Sequence, residues 1–255
     1  MEKYQSKKMP AASSLIIGRQ PLIEALQDGR PIDKIFMQQH STGDAIGKIR
    51  ELARNLQVPI QMVPAEKLQR LSRANHQGVI AMAALVQYMD LQDVIDQTVA
   101  AGKVPLFVML DAVTDVRNIG AIARTALCCA AQAIIIPDKG VGALNEEALK
   151  ASAGALQKIH ICRVQSLMKC VDSLHLNGIR VFASEMTASK YVSEMDFSLP
   201  CCIVMGSEDK GVFPALMKIC DEVIKIPMAG DFESMNVSVA TGIILYEAMK
   251  QRMNL

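Results

Sequence analysis

The sequence contains no tryptophan, and aromatic residues make up only 4% of its 255 residues. A surface that binds nucleic acid mainly by stacking bases on aromatic rings is therefore not expected. The sequence also lacks an uninterrupted run of 18 apolar residues, so we expect no membrane association. Its first residues, MEKYQSKKMPAASS, lack the apolar core of a signal peptide, which predicts a cytoplasmic protein.

Disulfide and metal-binding patterns are missing as well. Four of the seven cysteines form two adjacent pairs in apolar surroundings, Cys128-Cys129 and Cys201-Cys202, and no C-x-x-C occurs. The four histidines are scattered without ligand spacing. We predict buried free thiols in a reducing compartment and no metal site.

Charge is unevenly distributed, although the net charge is only +1. Residues 1–88 carry 12 Lys and Arg against 7 Asp and Glu, and the remaining residues carry 15 against 19. A basic first third indicates a polyanionic partner for that part of the chain.

The order of strand and helix patterns divides the chain into four parts. Residues 1–13 are predicted to be a flexible tail, 14–87 a small α/β domain, 88–104 a helical linker and 105–255 a second domain. The second domain opens with the apolar run Pro105–Leu110, of the kind buried in parallel sheets. Helix and strand patterns alternate after it, which favours an α/β fold with a parallel sheet.

A first candidate motif runs from Leu110 to Ala126, LDAVTDVRNIGAIARTA, where a buried strand ends and a helix begins. Two interpretations are open. Asp115 or Asn118 is a helix N-cap and Arg124 a solvated helix residue. Alternatively, Asn118 and Arg124 line a cleft, where the arginine, flanked by small and apolar residues, binds a phosphate.

A second motif, IVMGSEDKGV, extends from Ile203 to Val212. Gly206 and Gly211 permit a close backbone approach at the end of a strand, which indicates a ligand-binding loop. The pattern is not G-x-G-x-x-G, and no acidic residue is placed to bind a dinucleotide ribose, so a Rossmann dehydrogenase is disfavoured.

The third motif, IPMAGDFESMNVSVATG, begins at Ile226. A strand ends in Pro-Met-Ala-Gly, an acidic turn follows, and a long helix begins near Val237. A helix start after a polar loop presents free backbone N–H groups, which suit an anionic or polar ligand.

Together the three motifs resemble those of the SpoU/TrmH (SPOUT) family of RNA ribose 2′-O-methyltransferases. The resemblance covers most of residues 105–255, with Val116 where the family has proline and Met235 where leucine is more usual. Residues 14–87 resemble the substrate-binding domain of members that act on large-subunit (23S-type) ribosomal RNA. The family fold is a parallel α/β sheet with a deep trefoil knot, and its members work as homodimers whose active site is completed across the interface.

The resemblance also implies the chemistry. The methyl donor, S-adenosylmethionine, would be held in the knot, and a ribose 2′-hydroxyl would attack its sulfonium methyl without a metal. Donor-binding positions would be Gly206, Ile226, Met228, Met235 and Ser184, the last within the flanking 184–186 stretch (Ser184, Glu185 and Met186). Catalytic positions would be Asn118, Arg124, Glu208, Ser234 and Asn236. A guanidinium pKa above about 12 disfavours Arg124 as a base and favours a phosphate or alkoxide stabiliser.

In the first domain, the polar stretch Asn75-His76-Gln77-Gly78 is either a simple loop or, by resemblance, the H-Q-G stretch of rRNA-modifying members. RNA recognition is expected to depend on phosphate contacts and RNA shape. Candidate phosphate contacts, each of which has ordinary solvated charge as its alternative, are Arg50, Arg54, Arg70 and Arg73.

The expected substrate is a guanosine ribose in large-subunit ribosomal RNA. One alternative is a tRNA ribose methyltransferase of the same family, although tRNA-modifying members usually carry shorter helical extensions. Another is a catalytically silent RNA-binding or ribosome-assembly protein, which the presence of every motif residue disfavours. A generic nucleotide-binding α/β enzyme would leave the agreement of three motifs unexplained.

Overall fold

The computed structural model describes residues 15–230 and 234–253. These residues form two compact units that divide between Leu85 and Val86, here called the front unit and the second unit. The tail expected at residues 1–13 and most of the acidic turn after Gly230 lie outside the described residues. Among the described helices, none combines the length and the apolar character needed to cross a bilayer.

The front unit is a four-stranded sheet with three helices. Its elements are β1 (Leu15–Ile17), α1 (Arg19–Gln27), β2 (Ile32–Gln38), α2 (Asp44–Asn55), β3 (Ile60–Val63), α3 (Ala65–Leu71) and β4 (Val79–Ala83). The strand order is β1-β4-β2-β3, with β4 antiparallel to β1 and β2, and with β3 parallel to β2.

Apolar residues fill both faces of this sheet. Helices α1 and α2 cover one face, where Ile46 and Ile49 follow the helical spacing expected from the sequence. Helix α3 covers the other face through Leu68, which packs against Phe36 and Ile80. Leu56 follows the end of α2 and is 45% exposed, so it lies outside this core.

The second unit contains eight strands among the described residues, and every pairing is parallel. Its strands are β5 (Tyr88–Met89), β6 (Leu106–Leu110), β7 (Ala133–Pro137), β8 (His160–Val164), β9 (Arg180–Ser184), β10 (Lys190–Tyr191), β11 (Cys201–Met205) and β12 (Glu222–Lys225). Its helices are α4 (Leu91–Ala100), α5 (Val116–Cys128), α6 (Glu146–Ala151), α7 (Leu167–Leu176), α8 (Pro214–Met217) and α9 (Val237–Arg252). The strand order is β10-β12-β9-β11-β6-β7-β8-β5, which confirms the predicted parallel α/β sheet.

The centre of this sheet is buried on both faces. Every residue of β6 is fully buried, as expected for a continuous apolar strand. Helices α5 and α9 pack on one face, through residues such as Ile122 and Leu245. Helices α4, α7 and α8 pack on the other, through residues such as Val94 and Val171.

The stretch predicted to be a helical linker, 88–104, contains helix α4 but packs within the second unit. Tyr88 and Met89 pair with β8 as the edge strand of the sheet. Leu91, Val94 and Ile95 then bury against the sheet as part of α4. Two residues are too short for the sequence pattern to indicate a strand, which is why this edge strand was not expected. The trefoil knot stays a prediction, because strand order and pairing do not show whether one segment passes through another.

The cysteines are all free, and most are enclosed by apolar side chains. Burial raises the pKa of Cys162 and Cys170 to about 12, so both thiols stay protonated at neutral pH. The expectation of burial is wrong for Cys128, the last residue of α5, which is exposed while its neighbour Cys129 faces the core.

Arg252 fixes the end of α9 to the start of the sheet. Its guanidinium donates hydrogen bonds to the carbonyl oxygens of Phe197 (2.8 Å), Val104 (2.7 Å), Pro105 (2.9 Å) and Leu199 (2.9 Å). All three guanidinium nitrogens donate hydrogen bonds. This one side chain therefore connects the end of α9 to the residues just before β6 and β11.

We therefore expect Arg252→Ala to lower the free energy of unfolding by about 2–4 kcal/mol, because several carbonyl oxygens lose a charged donor at once. Urea titration followed by circular dichroism measures this change. Arg117→Ala is the matched control, since the Arg117 side chain is 71% exposed and pairs only with surface carboxylates. Its loss should cost within about 0.5 kcal/mol. Equal effects of the two substitutions would contradict the anchoring role of Arg252.

Candidate active site

The three motifs meet at the carboxyl edge of the second unit's sheet. Strands β6 and β11 are neighbours at the centre of the sheet, and the chain leaves them in opposite directions, β6 toward β7 and β11 toward β12 beyond β9. Such a change of direction in a parallel sheet opens a crevice at the carboxyl ends of the strands, where ligands bind in many α/β proteins. The structure therefore brings together loops that are about 100 residues apart in sequence.

The first motif is held by hydrogen bonds at both ends of its turn. Asp111 accepts a hydrogen bond from the backbone N–H of Phe213 (2.7 Å), which ties this turn to the loop after β11. Asp115 is the N-cap of α5 and accepts from the N–H of Arg117 (2.8 Å), which lowers the pKa of the Asp115 carboxyl. The N-cap is therefore Asp115 and not Asn118. Asn118 lies in the first turn of α5, where its side chain is not needed to cap the helix.

The second motif forms a tight hairpin that presents Glu208. Ser207 and Gly211 exchange two backbone hydrogen bonds of 3.2 and 2.9 Å. A methyl group at Gly206 would overlap the backbone of Gly211 and Val212, so glycine is required where the strand enters the hairpin. Gly211 has a φ of 65°, which allows the return turn.

The third motif supplies Asn236 as the N-cap of α9. Its Oδ1 accepts hydrogen bonds from the N–H (2.9 Å) and the hydroxyl (2.6 Å) of Ser238. With Oδ1 committed to the helix, Nδ2 faces the other two motifs, so the hydrogen-bond pattern assigns the orientation of the amide.

One residue from each motif belongs to a hydrogen-bonded group that we call the amide–carboxylate cluster. Its members are Asn118, Glu208 and Asn236. Glu208 Oε1 accepts from Asn236 Nδ2 (2.7 Å) and from Asn118 Nδ2 (3.0 Å). Asn236 Nδ2 also donates to Asn118 Oδ1 (3.1 Å). The N–H of Val237 points at the same Glu208 oxygen (3.4 Å), which places the carboxylate at the positive end of α9.

Beside this cluster lies a cavity of about 370 Å³. All five residues predicted to bind the donor line it: Ser184, Gly206, Ile226, Met228 and Met235. Glu208 and Ser234, predicted to be catalytic, line it too. The cavity and the cluster therefore share Glu208.

Charged side chains that the sequence analysis did not single out also line the cavity. Asp209 and Lys210 lie in the hairpin after β11, and Lys225 is the last residue of β12. The signal that could have found them is position, because each follows or ends a strand at the carboxyl edge of the sheet.

Arg124 is not joined to the cluster within this chain. Its side chain is exposed, does not line the cavity, and makes no hydrogen bond or ion pair with any residue that the structure describes. The neighbours Ile122, Ala123 and Ala126 face the core of the unit, whereas Arg124 faces outward from α5. Within the described chain Arg124 is therefore a solvated helix residue, and its contact with a phosphate stays a prediction.

Comparisons with known proteins give a consistent result. Residues 105–246 match the SpoU rRNA Methylase family, and residues 15–89 match the domain described as RNA 2′-O ribose methyltransferase substrate binding. The chain is 34% identical over 237 residues to YacO of Bacillus subtilis, provisionally named a TrmH family tRNA/rRNA methyltransferase, covering 93% of this chain and 95% of YacO.

Two solved structures are similar as well. The SpoU methyltransferase AviRb from Streptomyces viridochromogenes, solved in complex with AdoMet, has a TM-score of 0.60 and 25% identity, covering 94% of this chain and 91% of AviRb. The TrmH/SpoU tRNA modifying enzyme of A. aeolicus has a TM-score of 0.54 and 28% identity, covering 63% of this chain and 85% of that enzyme.

Proposed function

The chain belongs to the SpoU family of RNA 2′-O-methyltransferases, and from that premise we propose that it transfers a methyl group from S-adenosylmethionine to a guanosine ribose in large-subunit ribosomal RNA. The observation that carries this proposal is the amide–carboxylate cluster beside the cavity. Its three residues come from three separate motifs, and two of its amides and one helix N–H converge on one oxygen of Glu208. A chain kept only for RNA binding would have no need of this arrangement.

The cavity suits S-adenosylmethionine in size and chemistry. Its volume of about 370 Å³ lies within the range of small-molecule sites. Ile226 and Met205 offer apolar surface to a flat adenine ring, and Glu185 offers a carboxylate to the cationic groups of the methionine portion. AviRb, whose structure holds AdoMet, supports the same assignment.

When bound, S-adenosylmethionine supplies an electrophilic methyl group on a sulfonium sulfur. The residues of this chain would then place the ribose 2′-hydroxyl in line with that methyl group and accept the proton that the hydroxyl loses. Glu208 is suited to this because all its hydrogen bonds with described residues use Oε1, which leaves Oε2 available to the ribose hydroxyl. Asn118 and Asn236 hold that carboxylate in position, and Ser234 lies beside it in the cavity lining.

Arg124 would stabilise the phosphate next to the attacking hydroxyl and the alkoxide that develops there. A guanidinium cannot serve as a base near neutral pH, since its pKa lies above about 12. Its planar fork matches a phosphate, and its exposed position leaves it free to contact RNA.

Ribosomal RNA is proposed over tRNA because of the front unit. The tRNA modifying enzyme of A. aeolicus aligns with only 63% of this chain. The front unit matches a substrate-binding domain, and residues 1–88 are basic, which suits a large structured RNA. A cytoplasmic site of action follows from this substrate.

We also propose that the enzyme is a homodimer in which Arg124 of one subunit completes the site of the other. Helix α9 exposes an apolar stripe, Val239, Ile243 and Tyr246, on the face that does not pack on the sheet. Helices α5 and α9 pack against each other, and a Cβ added at Gly242 of α9 would lie 3.6 Å from the Thr125 methyl group of α5. Arg124, next to Thr125, is therefore near this stripe. A second copy that covers the stripe would therefore meet Arg124.

Tyr246→Asp should convert the dimer to a monomer, because Tyr246 is 58% exposed and an aspartate there would be buried at the interface without a partner. Size-exclusion chromatography with light scattering at micromolar protein concentration measures the mass. Leu176→Asp is the control, since Leu176 is also apolar and 89% exposed but lies on α7, on the other face of the sheet. A monomeric wild-type protein would contradict the proposal, and so would a Tyr246→Asp variant that stays dimeric.

The function is tested by incubating the protein with labelled S-adenosylmethionine and, separately, unmodified large-subunit rRNA and bulk tRNA. The expected result is label at one guanosine of rRNA, mapped as a block to alkaline cleavage. Label only in tRNA would show that the proposed substrate is wrong, while the proposed methyl-transfer reaction would stand. Absence of label in both RNAs despite donor binding would favour the silent RNA-binding alternative.

A further inference from the structure

The front unit contains a second cavity, of about 510 Å³, that has no part in the chemistry described above. We call it the front-unit cavity. Its lining is entirely polar apart from one glycine: Arg19, Gln38, Gln39, His40, Ser41, Thr42, Asn75, His76, Gln77 and Gly78. A polar concavity of this size is suited to a polar ligand or part of one.

The topology of the sheet explains why these residues meet. β4 runs antiparallel to β1 and β2, so its first residues lie beside the ends of both strands, with Ile80 opposite Ile17 and Val79 opposite Met37. The loop after β1, the loop after β2 and the loop before β4 therefore converge at one edge of the sheet. The cavity is lined by Arg19 and by segments 38–42 and 75–78.

The backbone of these loops is held in uncommon conformations. His40 and Gln77 have φ values of 61° and 49°, a left-handed region that residues with a Cβ seldom occupy. Gly78 has a φ of 82° and is buried, and a Cβ there would lie 3.0 Å from the Ser41 hydroxyl. Strained loop residues that persist in one place commonly belong to a binding site.

Arg19 gives the cavity its charge. Its Nε donates to the carbonyl of Gln77 (2.9 Å), and its backbone N–H donates to Gln77 Oε1 (3.2 Å), so the side chain is fixed against the wall. None of the ten lining residues has a carboxylate, and Arg19 forms no ion pair with any residue that the structure describes. Its two terminal nitrogens are therefore available to an anion.

From these observations we infer that the front-unit cavity binds one unpaired nucleotide of the RNA substrate. Arg19 holds the phosphate of that nucleotide, and the amides and imidazoles around it form hydrogen bonds with the edges of its base. The inference rests on the proposed function, because it takes RNA to be the substrate. It adds a specificity site that recognises an extruded nucleotide, apart from the nucleotide that is methylated.

The lining chemistry favours an unpaired nucleotide over the other ligands that a polar cavity could take. A base pair hides the edges that Asn75, Gln39 and His40 could contact, whereas an unpaired base exposes them. A protein partner would be expected to bury apolar or aromatic side chains, and the cavity offers none. A free phosphate would occupy only the neighbourhood of Arg19.

Fluorescence anisotropy with the full-length protein tests the inference, using a labelled 12-nucleotide single-stranded RNA of mixed sequence and an RNA duplex of the same length. Arg19→Gln should weaken binding of the single strand by about 10-fold and change duplex binding by less than about twofold. Arg30→Gln is the matched control, because it removes the same charge just before β2, at the opposite edge of the sheet. It should change either affinity by less than about twofold. Equal weakening by Arg19→Gln and Arg30→Gln would overturn the inference, since general electrostatic attraction would then explain the binding.

A second variant and a crosslinking experiment keep the inference testable if Arg19→Gln fails to fold. His40→Asn keeps a residue that tolerates a left-handed backbone but shortens the side chain, and it should weaken the single strand by about threefold or more. RNA that contains 4-thiouridine should crosslink to peptides that span 38–42 or 75–78. Crosslinks confined to other peptides would overturn the inference, as would inorganic phosphate at low millimolar concentration abolishing binding.

These outcomes are separate from those of the proposed function. If wild-type protein methylates RNA but both cavity variants bind the single strand normally, only the inference fails. If no RNA is methylated while the cavity variants still bind single-stranded RNA more weakly than the wild type, only the proposed function fails.

Discussion

Glu208→Ala should reduce the rate of methyl transfer by about 100-fold while leaving donor binding within about threefold of the wild type. Glu208 Oε1 accepts hydrogen bonds from Asn118 (3.0 Å) and Asn236 (2.7 Å), so its loss releases both amides at once. A small displacement of groups that position a reacting hydroxyl has effects of this size. Single-turnover kinetics with labelled S-adenosylmethionine measure the rate, and calorimetry measures the donor affinity.

Asp209→Ala is the control for this prediction. Asp209 lies next to Glu208 in the same hairpin, carries the same charge and also lines the cavity, but it makes no hydrogen bond to Asn118 or Asn236. Its substitution should change the rate by less than about fivefold. If both variants lost the same activity, the charge of the hairpin would be responsible, and the geometric role of the cluster would be rejected.

Much of this site could be predicted because its residues lie at sequence positions with local signals. Gly206 and Ile226 directly follow β11 and β12, which apolar runs indicate, and parallel strands place their carboxyl ends at one edge. The five donor-binding residues themselves were predicted from the family resemblance, and all five line the cavity. Their roles in binding the donor stay predictions.

The hydrogen bonds between motifs could not be predicted from local sequence patterns. Asn118 and Glu208 are 90 residues apart, and their hydrogen bond depends on β11 lying next to β6, with Met205 opposite Leu110. Strand order of this kind is set by packing across the whole sheet and leaves no mark in the local pattern. The same limit explains Tyr88 and Met89, whose strand exists only because β8 offers an edge.

The partner of Arg124 cannot be identified from a single chain. Its neighbours Ile122, Ala123 and Ala126 face the core, but the guanidinium has no partner among the residues described. If a second subunit and the RNA phosphate provide that environment, neither the local sequence nor one folded chain could reveal it.

Arg124→Ala should lower methyl transfer by about 10²- to 10³-fold, the usual effect of removing one donor to a developing oxyanion. Arg124→Lys should keep the charge but lose the two-pronged contact, with an expected loss of about 10-fold or more. Because Arg124 is exposed and has no described partner, both variants should unfold at the same temperature as the wild type. A near-normal rate for Arg124→Lys would exclude any role that depends on the guanidinium fork.

Mixing two inactive variants decides which subunit supplies Arg124. Asn236→Ser removes the amide of the cluster but keeps a residue that caps α9, so the helix start is preserved. In a heterodimer of Arg124→Ala and Asn236→Ser, a site completed across the interface would combine the intact Asn236 of one subunit with the intact Arg124 of the other. Random pairing would then restore about a quarter of the wild-type rate, since half of the dimers are mixed and each has one intact site. If Arg124 acts within its own subunit, every site keeps one defect and the mixture stays inactive, which would reject the shared active site while leaving the catalytic role of Arg124 intact.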